Sequence, residues 1–386
     1  MTRRILYSML VCYLLMAGCT QDEEPELLPD SAGSAPIAFD IASEEPGASA
    51  STRAASGLTG PITRENYQLR YAGIGVFAAT SPSAPPDMMF NQKVSFTVLA
   101  DGSDNGYWSY SPLKYWPNDP AVADNLYFCA YAPYVESTDG LDADDTGIVA
   151  LPSALDNTPL LLYARARQLE NTVDLLWSYL RPAASSSLKQ NVALEMHHAL
   201  ARVAVNVKLN AAPAAATKVL VRRITITPTT LVKSATLDLT SHDTYILDEG
   251  TEDETTVTIP TWSDRTWEST PANRVIIIDH DPATTPASYG VIDNKIRYVP
   301  GLPYSWQPAG LTNSDYTNAL STDDHQAYLY FIPQDDFEVS FTVAYTIMRN
   351  DGTSTTGAKT TTTSPYVIGT LRGNLTYNLN LNITLP

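Results

Sequence analysis

Basic residues are scarce in this chain. Lys and Arg together number 24 against 42 Asp and Glu, a formal charge of −18 over 386 residues. No basic stripe is present to displace counterions from phosphates, which excludes a nucleic-acid partner. An acidic exterior suits a soluble protein in a crowded extracellular setting. Cysteine is nearly absent as well. Cys12 and Cys19 fall in the leader, so the body holds only Cys129, and no intramolecular disulfide can form once the leader is removed. Cys129 stands in the apolar run Leu126-Tyr-Phe-Cys-Ala-Tyr131 with no basic neighbour to lower its pKa. It reads as a buried small hydrophobe rather than a reactive thiol.

Signatures of catalysis are missing too. The chain has no Gly-x-Ser-x-Gly elbow, no Walker loop, no His-Glu-x-x-His and no dinucleotide fingerprint. Histidines number five. His197 and His198 are adjacent on an expected strand and so point to opposite faces, one packed and one exposed, which keeps them from one metal. Asp279-His280-Asp281 reads as an acidic turn before Pro282. The loops Asp101–Gly106 and Asp139–Asp145 carry oxygen ligands of the kind calcium prefers, but neither has the EF-hand spacing or its terminal Glu, so both read as hairpin turns. Trp108, Trp116, Trp177, Trp262, Trp267 and Trp306 could include a sugar-stacking platform, although apolar strand context makes core packing the default. No cofactor, metal or enzymatic activity is implied.

The leader sets the compartment. Arg3 and Arg4 precede an apolar run, Ile5 to Met16, too short to span a bilayer as a mature helix. Residues 1–18 therefore read as a signal peptide, and Leu15-Met-Ala-Gly-Cys19 resembles the lipobox of bacterial lipoproteins. That resemblance makes Cys19 the lipidated residue, holding the protein to the outer membrane by acyl chains. The acids Asp22, Glu23, Glu24 and Glu26 just behind it resemble a tag for export to the cell exterior in Bacteroidetes-type bacteria. Residues 19–35 form an acidic, flexible tether. Within it, Asp30-Ser31-Ala32 resembles a short O-glycan acceptor site.

What the chain does have is strand pattern. Ile37, Phe39 and Ile41 alternate with Ala38, Asp40 and Ala42, a first strand over 36–43 with one buried face. A small-residue linker over 44–57 follows, carrying the single cation Arg53. Beyond it, runs rich in Val, Ile, Thr and Tyr recur between Pro, Gly, Asn and Asp. They include Leu69–Phe77, Val94–Leu99, Leu126–Tyr131, Val173–Trp177, Val192–Met196, Val203–Leu209, Val219–Thr227 and Phe337–Ile347. With no sustained helical stripe, the fold class is all-β, built as sandwiches. The length suits two domains. Linker-like stretches at 182–187 and 210–216 each divide the chain plausibly, and the first gives domains over 36–187 and 188–386. At the C terminus Tyr377, Leu379, Leu381, Ile383 and Leu385 alternate strictly with Thr and Asn. Such a strand can add to an exposed sheet edge, five buried side chains contributing about 8–15 kcal/mol as an upper bound. It also fits the last strand of its own domain.

Several stretches in order resemble the fimbrillin family of Bacteroidetes surface fimbriae. They are the lipobox, Thr52-Arg53-Ala54, Tyr115-Trp-Pro117, Tyr127-Phe-Cys-Ala-Tyr-Ala-Pro133, Asp174-Leu-Leu176, His198-Ala-Leu-Ala-Arg-Val203, Phe331-Ile-Pro-Gln334 and Gly373-Asn-Leu-Thr-Tyr377. The resemblance implies two tandem transthyretin-like Greek-key β-sandwiches that polymerise by donor-strand exchange with other fimbrial subunits, supporting adhesion to a host or bacterial surface ligand. It further implies an Arg-specific protease that cuts between Arg53 and Ala54, displacing the strand bearing Ile37, Phe39 and Ile41. A strand such as Tyr377–Leu385 then fills a neighbour's groove. The competing readings are a surface glycan-binding lipoprotein serving nutrient uptake and, less favoured, a hydrolase on a sandwich scaffold.

Overall fold

The computed structural model describes residues 35–43, 60–61, 73–98, 106–123, 125–142, 144–152, 157–166, 172, 174–183, 191–209, 217–268, 275–279, 296–298, 316–318, 329–349, 359–363 and 365–383. Among them the chain is all-β, with one helical turn at Pro120–Ala123. The first strands are β1 (Phe39–Ser43), β2 (Gly60–Pro61), β3 (Ile74–Ala79), β4 (Met89–Val98), β5 (Gly106–Ser109) and β6 (Tyr127–Ala132). Next come β7 (Gly147–Ala150), β8 (Leu160–Ala164), β9 (Leu176–Pro182), β10 (Val192–His198), β11 (Ala201–Leu209) and β12 (Thr217–Pro228). Two long strands follow, β13 (Leu231–Leu247) and β14 (Thr255–Glu268), then β15 (Val275–Asp279), β16 (Ile296–Tyr298) and β17 (Tyr316–Asn318). The last are β18 (Leu329–Phe331), β19 (Gln334–Arg349), β20 (Lys359–Thr362), β21 (Tyr366–Leu371) and β22 (Thr376–Ile383).

An eight-stranded sheet runs β2-β1-β10-β9-β6-β3-β4-β5 and faces a four-stranded sheet, β14-β13-β8-β7. Phe77, Cys129, Tyr131, Leu161, Tyr163, Trp177, Leu237 and Trp262 fill the space between the two. The opposite face of the large sheet is also apolar: Ile37, Phe39, Ile41, Val76, Phe128, Ala130, Leu194 and Met196 form a second core with Trp116 and Leu126. A sheet covered on both faces leaves no polar side, and for that reason all six residues of β3 are buried and its sequence does not alternate. A three-stranded sheet, β18-β11-β22, and a seven-stranded sheet, along β17-β16-β12-β19-β20 with β15 and β21 added, complete the fold. Phe331 on β18 and Phe337 on β19 meet with ring centroids 5.1 Å apart, packing one of these sheets on the other.

The stretch at 182–187 does not part the sheets. It connects β9 to β10, which pair through His197↔Trp177 and His198↔Leu176. Farther on, β13 pairs with β8 from Ser234↔Ala164 to Asp238↔Leu160, so strands from both sides of that stretch share the four-stranded sheet. A Pro/Ser-rich loop between neighbouring strands carries the same composition as an interdomain linker, which is why the two look alike in sequence. The chain leaves the eight-stranded sheet at Ala199–Leu200, where β10 ends and β11 begins.

Gly75 tests the central sheet. A Cβ added there would lie 2.2 Å from the Tyr131 ring. Tyr131 cannot yield, because its hydroxyl donates to Asn91 Oδ1 at 2.7 Å. Gly75→Ala is expected to destabilise the fold by about 1–3 kcal/mol, read as a lower denaturation midpoint at unchanged m-value. An unchanged midpoint would contradict this packing.

Candidate functional site

The first strand is built as an insert. Ile37, Phe39 and Ile41 are 1%, 4% and 7% exposed, while Asp40 faces solvent. Main-chain bonds hold it from two directions. Ile37 N donates to Lys114 O (2.8 Å), Trp116 N to Ala35 O (3.0 Å) and Val192 N to Ala38 O (2.7 Å). From Phe39 onward β1 runs parallel to β10, with Phe39↔Val192 and Ile41↔Leu194 in register, whereas β2 touches only Ala42 and Ser43. The Phe39 ring lies between Tyr110 (5.6 Å) and the edge-on ring of Phe128 (6.0 Å). The Tyr110 hydroxyl donates to the Ile37 carbonyl at 2.8 Å, a contact indifferent to side-chain identity. Burying three such side chains contributes about 5–9 kcal/mol at most.

The C-terminal strand occupies a comparable position elsewhere. β22 runs parallel to β11, from Arg202↔Thr376 to Leu209↔Ile383, and ends its sheet. Tyr377 and Leu379 are half-buried there. The Tyr377 hydroxyl accepts from Arg372 N (2.8 Å) and donates to Thr370 O (3.0 Å). Leu381 and Ile383 lie on the same strand, and in this conformation the segment is the last strand of its own sheet. Cys19, Arg53, Ala54 and Leu385 lie outside the described residues, as do residues 19–34 of the tether and the linker.

Between these strands sits a buried polar joint whose members stand far apart in the sequence. His198 Nδ1 is 2.5 Å from Asp174 Oδ2, and its Nε2 is 3.4 Å from a guanidinium nitrogen of Arg202. A guanidinium can only donate and a carboxylate only accept, so the neutral ring protonated on Nδ1 is the form that satisfies both. Asn374, in a left-handed conformation (φ 60), accepts from His198 N at 3.3 Å and donates to Thr258 O at 3.0 Å. Arg202 N donates to Leu375 O (3.0 Å) and Ala199 N to Leu175 O (2.7 Å). At Gly373 an added Cβ would strike Pro260 and the Ala199 carbonyl, at 2.4 and 2.5 Å. Gln334 joins the same region, accepting from Val232 N at 3.0 Å. The stretches at 174–176, 198–203, 331–334 and 373–377 thus converge on one place. The signal in the sequence was polar Asp, Arg and Asn inside otherwise apolar strand runs.

Other sequence candidates are spent on structure. His197 is buried, not exposed, because the sheet is covered on both faces there; it lies near-parallel to Tyr179 (6.2 Å) and beside Trp177. In the 139–145 loop, Asp142 Oδ1 and Asp145 Oδ2 accept backbone N–H groups and Asp144 pairs with Lys233. Among the described residues no group of three His, Cys, Asp or Glu is placed to hold a metal ion. Burial pushes the Cys129 thiol pKa up. Trp116, Trp177 and Trp262 are buried, and Trp108 packs on Phe96. Trp267 is exposed, and Trp306 lies outside the described residues.

These features define an all-β protein in which an early strand completes a core it reaches from far off in sequence. A model of the fimbrillin-like family matches residues 62–385, and this chain belongs to that family. The chain is 26% identical over 243 residues to the fimbrium subunit Fim1C of Phocaeicola vulgatus, covering 59% of this chain. The match spans 58% of that relative's length. A fimbrial protein of Bacteroides vulgatus aligns with a TM-score of 0.48 and 18% identity, over 90% of this chain and 95% of that one. A fimbrial protein of Bacteroides ovatus aligns with a TM-score of 0.36 and 12% identity, over 92% of this chain and 51% of that one.

Burial lowers the His198 pKa, and Arg202 adds to the effect against the pull of Asp174. The folded protein therefore prefers the neutral ring. The stability this contributes is full above the free imidazole value of about 6.5 and is lost as pH falls below it. A scan from pH 7 to 5.5 should show the melting temperature falling, and His198→Gln should flatten that decline while lowering the starting value. Equal slopes in both proteins would reject this account. Phe39→Ala should destabilise the intact chain by about 3–5 kcal/mol, measured by urea unfolding.

Proposed function

We propose that this chain is a structural subunit of a bacterial surface fimbria, with no enzymatic activity of its own, exported as a lipoprotein and polymerised by donor-strand exchange in support of adhesion. In this reading Cys19 carries the lipid that first holds it on the outer membrane. An Arg-specific protease hydrolyses the Arg53–Ala54 peptide bond, in the segment between β1 and β2. That cut separates the body from both the lipid and the strand bearing Ile37, Phe39 and Ile41. A strand from a neighbouring subunit takes the vacated groove. The strand Tyr377–Leu385 leaves β11 to do the same service for another subunit. The layers correspond to two transthyretin-like sandwiches, with 231–268 closing the first.

One observation carries the reading: β1 supplies three buried side chains to a core while, among the described residues, its only extended strand partner is β10. A segment so placed can leave without dismantling the strands behind it, and what it exposes is an apolar slot lined with main-chain donors and acceptors, the features used in strand addition. Membership of the fimbrillin-like family supports the same conclusion.

Treating the protein with an Arg-specific protease should give ladders of stable oligomers on denaturing gels run without heating, with the surface form starting at Ala54. Arg53→Ala should abolish the ladder and leave a lipidated monomer. Persistent monomers after clean cutting at Arg53 would overturn the reading.

A further inference from the structure

The groove beneath β1 has a shape of its own. Its ends take the aliphatic side chains of Ile37 and Ile41, and its middle takes a ring, set between Tyr110 and Phe128 with Trp116 behind Phe128 at 6.3 Å. The Tyr110 hydroxyl gives its one hydrogen to the Ile37 carbonyl at 2.8 Å, with the Lys114 carbonyl at 3.3 Å as the alternative acceptor, and accepts from Lys114 N at 3.3 Å; the main-chain carbonyl of an incoming strand takes the place of that of Ile37. A phenyl group fits this pocket; a phenol would bring a second hydroxyl among these rings.

The chain's own C-terminal strand offers a different pattern. Its one aromatic residue, Tyr377, sits at its root. That root is held by the hydroxyl bonds to Arg372 and Thr370, by burial of Gly373, Asn374 and Leu375, and by the Asn374 bonds to His198 and Thr258. The part beyond the root presents only Leu379, Leu381, Ile383 and Leu385 on the alternating face. Every register that leaves the root in place therefore sets Leu or Ile in the ring pocket.

We infer that the groove of this chain is filled by a strand from a different fimbrial subunit, one that presents aliphatic, phenyl and aliphatic side chains at alternate positions and runs parallel to β10, and not by the C-terminal strand of a second copy. The aliphatic ladder of residues 379–385 is then made for a neighbour with a different groove, and this chain stands between unlike subunits. The inference rests on the donor-strand reading.

Peptide exchange tests it. Full-length protein cut at Arg53 is incubated with fluorescent peptides, and bound peptide is measured at equilibrium. The peptides span residues 35–43, the same segment with Phe39→Leu, residues 377–386, and that segment with Leu381→Phe. The 35–43 peptide should exchange in, the Phe39→Leu and 377–386 peptides should bind about tenfold more weakly or worse, and Leu381→Phe should recover much of the loss. Binding of unmodified 377–386 as tight as that of 35–43 would overturn the inference and leave donor-strand exchange standing. Failure of every peptide, 35–43 included, would overturn both.

Discussion

The outer core of the eight-stranded sheet closes only when a strand from far away in sequence lies down beside β10. Phe39 pairs with Val192, across more than a hundred intervening residues, and the pairing is parallel. Parallel neighbours cannot be joined by a tight turn and need a long connection. The strand that completes this core is therefore also the one whose attachment to the rest is loosest in covalent terms. Its hold is side-chain burial and main-chain bonds, to β10 along one part and to Lys114 and Trp116 along another, both of which another strand of suitable pattern can reproduce.

The same ribbon organises the other end of the chain. Residues 192–209 pass from β10 to β11 through Ala199–Leu200, carrying β1 along their first part and β22 along their second, both in the parallel sense. At the passage the backbone must leave one sheet and enter another, and turning strands expose donors and acceptors that a core cannot leave unpaired. Asp174, His198, Arg202 and Asn374 meet that need. A buried network of this kind adds little net stability but tolerates no half-satisfied member, so it fixes how β9, β10, β11 and the turn before β22 sit relative to one another.

Much of this was legible in the sequence, for identifiable reasons. Ile37-Ala-Phe39-Asp-Ile41 alternates because one of its faces meets solvent, and the strand was found where expected. β12 and β19 were found from their Val- and Ile-rich runs. β8 is not legible because Leu160-Leu-Leu-Tyr-Ala164 has no alternation to read, and β7 and β5 are not because they are only four residues each. The polar joint was not legible as a unit, since its four residues span 174 to 374 and only the fold brings them together. The exposure expected for one of His197 and His198 failed for the reason β3 fails to alternate: both faces of that sheet are covered.

The sense of the pairing completes the picture. β1 and β22 each run parallel to the ribbon 192–209, so neither is tied to it by a tight turn. β1 meets its successor β2 at only two antiparallel positions, Ala42↔Pro61 and Ser43↔Gly60. β1 lies in a groove of mixed aromatic and aliphatic character, whereas the sequence beyond Tyr377 alternates Leu and Ile with Asn and Thr. On the donor-strand reading proposed above, the character of the side chains decides which strand meets which groove.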